Sequence, residues 1–189
     1  MRKLRHEEIA RIDPEKIGTI DKHPIRAVLD NVRSIHNVGS IFRSSDAARI
    51  EHLHLTGYTG TPDNRSIHKT SLGAEESVPW SHDDQISHVL TQLKRSGYRI
   101  AVVEITDRPT FVDELVVDDF PLAIVLGNEV DGVSADVVAE ADIALEIPQF
   151  GIKQSLNVAV AYGVIAMDLV RRYRLISGLP VTERPAAEI

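Results

Sequence analysis

Apolar residues in this chain fall into short β-branched runs separated by amphipathic stretches, and that alternation predicts its elements. Ile25 to Val32 is apolar and followed by polar breakers, the pattern of a strand. Leu53 to Gly57 alternates as a second strand, and Arg99 to Ile105 reads as a third. Leu122 to Leu126 is apolar throughout, as in a strand buried on both faces. Ile143 to Ile147 runs into Pro148, which cannot continue a ladder. Between these runs, Asn37 is placed to cap a helix reaching about Ala48. Ile86, Val89, Leu90 and Leu93 mark one face of a helix from Asp84 to Ser96, stopped by Gly97. A short helix spans about Ser134 to Glu140, and a final one runs from about Ser155 to Leu175, ended by Gly178 and Pro180. Strands alternating with helices imply an α/β fold with a mainly parallel sheet, doubly wound so that helices cover both faces.

Three stretches stand outside this rhythm. Residues 1–24 read as an N-terminal extension with helical character (Leu4, Ile9, Ile12), and residues 177–189 as a C-terminal tail, leaving 25–176 as one domain. Tyr58 to Trp80, rich in Gly, Pro, Ser and Thr, is long for a connection, and long ordered loops tend to carry function or a partner surface.

Composition narrows the class. At 189 residues the chain can bury one full core but is short for two. No apolar run approaches the roughly 20 residues that span a bilayer, and the first eight residues lack a signal peptide's apolar core. The absence of cysteine excludes disulfides, a thiolate nucleophile and Cys-based metal sites. A cytoplasmic protein without membrane partners is the expectation. The net charge of −7 argues against a nucleic-acid partner, but the charges are unevenly spread. Between Glu104 and Glu146 the only basic residue is Arg108, whereas Arg2, Lys3, Arg5, Arg11, Arg43, Arg49, Arg65, Lys69, Arg171, Arg172 and Arg174 lie elsewhere. Such asymmetry can give an acidic protein one positive face, or it can leave solvated charged ends.

Candidate chemistry gathers in three motifs. In Asn31–Arg43, Asn37 begins the expected helix, Gly39 and Ser40 leave its first turn open to an anion, and Arg43 offers a fork of donors to a phosphate. The plain alternative is a cap and a surface arginine. In Leu126-Gly127-Asn128-Glu129-Val130-Asp131-Gly132, two glycines flank carboxylates after a buried strand, allowing a tight turn and close backbone approach to a ligand. The dinucleotide fingerprint G-x-G-x-x-G is absent, which disfavours a nicotinamide-binding domain. In Ile147–Ala161 a strand end, a Gly151 turn and the polar Ser155 and Asn157 precede the last helix, at the sheet edge where α/β proteins bind ligands. An ordinary helix cap explains the same residues. His52 and His54 share a strand face with no carboxylate at close spacing, so no metal site is expected. His36 is either an RNA-facing group or a loop histidine.

Taken in this order, the three motifs resemble the SpoU (TrmH) branch of the SPOUT family of S-adenosylmethionine-dependent RNA methyltransferases. The likeness rests on N-x-x-x-x-x-N-V-G-S-I-F-R (Asn31–Arg43), G-N-E-V-D-G (Gly127–Gly132) and I-P-x-x-G-x-x-x-S-L-N-V-A-V-A (Ile147–Ala161), and covers roughly residues 25 to 174. It implies a C-terminal deep trefoil knot, a homodimer joined at the knot, and methyl transfer to a ribose 2′-hydroxyl of tRNA or rRNA. Many members carry a further N-terminal RNA-binding domain, and the short extension here then favours tRNA slightly. Adenosine is expected against Leu126, Ile147 and Leu156, with Gly127, Asn128, Glu129, Ser155 and Asn157 around it. Arg43, Asn37, Glu129, Ser155 and Asn157 are the implied catalytic set. Arg43 matches an arginine usually assigned to assist deprotonation, but a guanidinium with a pKa above about 12 is a very poor base. A clamp on the RNA phosphate that also stabilises the developing alkoxide fits its chemistry better. Ala159 stands where many members have Ser, removing one hydroxyl. A knotted module that binds RNA or cofactor without catalysis is the alternative, weakened by retention of Arg43, Glu129, Ser155 and Asn157.

Overall fold

All five strands marked by the hydrophobic pattern form, and a sixth joins them. In the computed structural model, which describes residues 1–9 and 21–182, these are β1 (His23–Asp30), β2 (Ile50–Thr56), β3 (Trp80–Asp83), β4 (Arg99–Val103), β5 (Leu122–Leu126) and β6 (Ile143–Leu145). They make one sheet in the order β3-β2-β1-β5-β4-β6, with every pair parallel. Central β1 aligns Leu29 with Leu55 of β2 and with Leu126 of β5. All five residues of β5 are buried, as its unbroken apolar run requires.

Alternate side chains enter two cores. Ala27, Leu29, Leu53, Leu55 and Ile124 pack with α1 (Ile35–Ala47), α2 (Arg65–Ser71), α3 (Ala74–Ser77) and α6 (Val158–Ile176). Val28, Ile100, Val102, Ala123 and Val125 pack with α4 (Ile86–Arg95) and α5 (Ala135–Glu140) on the opposite face. The sheet is therefore doubly wound. Helices α1 and α6 are joined through Tyr162, whose fully buried hydroxyl meets Ser45 Oγ at 2.5 Å.

Several expectations need correction. Helix α1 begins at Ile35, two residues before Asn37, and Ser34 is its cap, accepting from Asn37 N at 3.4 Å. Both residues cap well, but Ser34 comes first and frees the Asn37 side chain. His36 accordingly lies on a helix rather than a loop, exposed to solvent. Gly39 does not open the first turn to an anion. It is buried, and a Cβ there would lie 1.9 Å from Thr70 Oγ1, so α1 and α2 touch through it. The Tyr58–Trp80 stretch is not a loop throughout but contains α2 and α3 and ends in β3. Asn64 caps α2, accepting from Ser66 N at 3.0 Å. The last helix starts at Val158, so Ser155 precedes it and Asn157 is its cap. Of the N-terminal extension, only a short turn at His6–Glu8 is seen; residues 10–20, like 183–189 of the tail, lie outside the described residues.

Candidate functional site

Strands β2 and β3 follow β1 outward on one side, while β5, β4 and β6 lie on the other, so the sheet order turns at the β1–β5 boundary. Ligands of open α/β sheets bind at the carboxyl ends of strands near such a point. A cleft of about 480 Å³ opens there, beyond the ends of β4, β5 and β6. Leu126, Gly127, Asn128, Glu129, Ile147, Ser155, Leu156 and Asn157 all line it. Leu126 and Ile147 supply apolar wall from the strand ends, and Leu156 supplies it from the segment entering α6.

The Gly127–Gly132 segment closes on itself. Asn128 N donates to Gly132 O at 3.1 Å, and Gly132 N returns to Asn128 O at 2.9 Å. Asn128 Oδ1 accepts from Val130 N and Asp131 N (2.7 and 3.2 Å), so one amide shapes the whole turn. Gly127 is required by contact: a Cβ there would sit 2.1 Å from Gly132 O. Gly132 is required by conformation, at φ +68°.

Glu129 reaches across from this turn to the start of α1. Its carboxylate accepts from Arg33 N (2.9 Å), Ser34 N (3.1 Å) and Asn37 Nδ2 (3.0 Å). Desolvation raises its pKa, but these hydrogen bonds together outweigh burial and hold the carboxyl below the usual range. Asn157 Nδ2 in turn donates to Asn37 Oδ1 at 3.2 Å, while Asn157 Oδ1 caps α6 at Ala159 N and Val160 N. One chain, Asn157–Asn37–Glu129, thus joins all three sequence motifs. Because Glu129 fills the α1 N-terminus, that position is not open to a phosphate.

The remaining candidates are placed differently. Ser155 lines the cleft, is exposed, and has no hydrogen-bond partner among the described residues. Arg43 lies on α1, exposed and without an ion pair to any described residue, and does not line the cleft. His52 and His54 instead share Ser81 Oγ (2.9 and 3.1 Å), and no metal-binding group of three side chains occurs among the described residues. Glu104, not singled out in sequence, lines the cleft and accepts from Val133 N (3.1 Å) and Ile105 N (3.0 Å). The signal available was its place at the carboxyl end of a strand. Arg171 and Arg172 are already engaged, with Asp113 and Asp168 and with Leu115 O respectively. No helix among the described residues is long and apolar enough to cross a membrane.

Known proteins are similar to this chain in sequence and in fold. Residues 24–167 match the sequence model described as the SpoU rRNA Methylase family. A Staphylococcus haemolyticus protein, named for the TrmH family of tRNA/rRNA methyltransferases, is 29% identical over 160 residues, covering 85% of this chain and 61% of its own. The chain thus spans about three fifths of the length of that curated relative. Among solved structures, the A. aeolicus TrmH/SpoU tRNA modifying enzyme superposes with a TM-score of 0.73 at 28% identity, covering 87% of this chain and 82% of that one. The SpoU methyltransferase AviRb of Streptomyces viridochromogenes, solved in complex with AdoMet, gives 0.70 at 25% identity, covering 87% and 63%.

Proposed function

The chain belongs to the SpoU rRNA methylase family, and from that premise we propose that it is an S-adenosylmethionine-dependent RNA methyltransferase whose acceptor is a ribose 2′-hydroxyl. The observation that carries this reading is that Asn37 of the first motif is hydrogen-bonded to both Glu129 and Asn157, which line one cleft from the other two motifs. The cleft suits the cofactor: its volume falls in the range of small-molecule sites, and its apolar walls flank a tight turn whose closure requires Gly127. AdoMet bound to the AviRb relative supports the same assignment. Leu126, Ile147 and Leu156 would hold adenosine, with Gly127, Asn128, Ser155 and Asn157 around its polar edges. When bound, S-adenosylmethionine supplies an already activated sulfonium methyl group.

Glu129 is a positioning residue. Three donors occupy its carboxylate, so it sets α1 against the cofactor turn rather than accepting the substrate proton. Arg43 clamps the phosphate next to the acceptor ribose and stabilises the developing alkoxide. The RNA is tRNA ahead of rRNA, supported by the likeness to a tRNA modifying enzyme most of whose length is matched. Such an acceptor fits a cytoplasmic location.

The active form is a homodimer. Val160, Val164 and Met167 are exposed at helical spacing on α6, and Phe150 and Ile152 just before it are 98% and 99% exposed. An apolar stripe of this kind calls for a partner, and a second copy presents the same stripe. Helix α1 packs along α6, which sets Arg43 in the layer nearest that interface and lets it serve the cleft of the other copy. The C-terminal part is threaded as a deep trefoil knot. Its basis is that β6 lies beyond β4 while α6 packs on α1 and β1, so residues 146–157 cross the strand ends beside the 127–132 turn. Calorimetry tests the cofactor: S-adenosylmethionine binds and NAD does not. Tritiated-methyl transfer to tRNA then separates an enzyme from a binding module, and binding without transfer would contradict the proposal.

A further inference from the structure

Tyr58 stands two residues after β2, on the same carboxyl edge of the sheet as the cleft, and the residue is 61% exposed. Large exposed aromatics are common, but this one is held. Its backbone N donates to Asn31 Oδ1 at 3.2 Å, and its hydroxyl oxygen accepts from the Asn128 amide. The same amide nitrogen donates to Asn31 O at 3.0 Å, so Asn128 joins Tyr58, the end of β1 and the Gly127–Gly132 turn. Asn31 adopts a left-handed conformation (φ 56°), and Gly57 packs against it where a Cβ would lie 2.1 Å from Asn31 Oδ1. The polar end of Tyr58 is therefore satisfied and oriented, while its ring stacks on no aromatic residue among those described.

Arg33 belongs to the same knot of contacts. Its backbone N is fixed by Glu129 Oε2, yet its guanidinium is exposed and pairs with no described carboxylate. A pre-oriented aromatic face, with an unpaired cation two residues along from its partner Asn31, is the chemistry that takes an unstacked nucleobase and a phosphate. Rigid placement also means little side-chain entropy is lost on binding.

We propose that Tyr58 is a stacking platform for a nucleobase of the RNA substrate, with Arg33 taking an adjoining phosphate. This rests on the RNA-methyltransferase reading and adds the surface that holds the nucleic acid. The test is titration of the full chain with a fluorescently labelled, unmodified tRNA transcript and, separately, with S-adenosylmethionine, for wild type, Tyr58→Leu and Tyr58→Phe. Tyr58→Leu weakens RNA binding roughly five- to 150-fold, the range for loss of one base–aromatic stack, and leaves cofactor affinity unchanged. Tyr58→Phe retains most of the RNA affinity, because the ring remains. The proposal is overturned if Tyr58→Leu binds RNA as wild type does. Loss of RNA and cofactor affinity together in both variants also overturns it, since Tyr58 would then only brace the turn. A shift in oligomeric state with Tyr58→Leu would make it a subunit contact instead. Wild-type chain that binds cofactor but not RNA overturns the platform and spares the cofactor site. RNA binding without cofactor binding sinks the methyltransferase reading, while the Tyr58 comparison still decides the platform.

Discussion

Glu129 accepts from two backbone N–H groups at the start of α1 and from the Asn37 amide, which gives that helix an intramolecular anion at its positive end. On the proposed reading these hydrogen bonds make Glu129 a positioning group, and Asn37 is hydrogen-bonded in turn to Asn157 at the start of α6. Arg43 is the contrasting case. Lacking an ion pair with any described residue, it keeps its full donor fork for a ligand. Arg43→Lys preserves the charge but loses the fork, so methyl transfer should slow by about tenfold or more with cofactor affinity unchanged. Single-turnover kinetics and calorimetry check this, and near-wild-type transfer by the lysine variant would remove the bidentate clamp.

Among the elements, Gly39 shows how a motif glycine can serve packing. It is fully enclosed between α1 and α2, with Ile67 O 2.8 Å and Thr70 Oγ1 1.9 Å from a virtual Cβ. Gly39→Ala should push the helices apart and destabilise the chain by roughly 1–3 kcal/mol, read as a lower denaturation midpoint. The five strands with apolar runs were legible in the sequence because burial on one or both faces leaves a direct trace there. Strand β3 was not: Trp80-Ser81-His82-Asp83 is a half-exposed edge whose partner, β2, supplies the pairing. Short helices α2 and α3 depend on Asn64 and on packing against α1, neither of which makes an apolar period. Asn37 suits a cap by sequence, but Ser34, three residues earlier, is equally suited and takes the position. The residues that line the cleft were legible through the likeness of their motifs to a family, since Gly and small polar residues alone suit a plain turn or a helix cap equally well. Tyr58 and Glu104 stand outside those motifs, and only the fold brings them to the same edge.

At the scale of the whole molecule, the sheet has two differently finished faces. On the α4–α5 side, His54 lies beside His52 and shares Ser81 with it, and its Nε2 is buried without a hydrogen-bond partner. Burial, then the charges of His52 and Arg26, pull its pKa from 6.5 to about 4, with Glu51 opposing. The folded chain resists protonation that the unfolded chain accepts near 6.5, so stability should fall as pH drops from 6.5 towards about 4. Thermal denaturation of His54→Gln should show a shallower decline over that window; an unchanged profile would discount the histidine. On the α1–α6 side, the stripe of Val160, Val164 and Met167 should hold two copies together. Val164→Glu should give monomers by sedimentation and lose methyl transfer, whereas a wild-type monomer would contradict the shared site. The central claim, that the cleft delivers a methyl group to a ribose, is tested most directly by mass spectrometry of nucleosides. Unmodified tRNA and rRNA are incubated with the protein and deuterated-methyl S-adenosylmethionine, then digested. The account predicts the label in a 2′-O-methylnucleoside; label in a methylated base, or in no nucleoside at all, contradicts it.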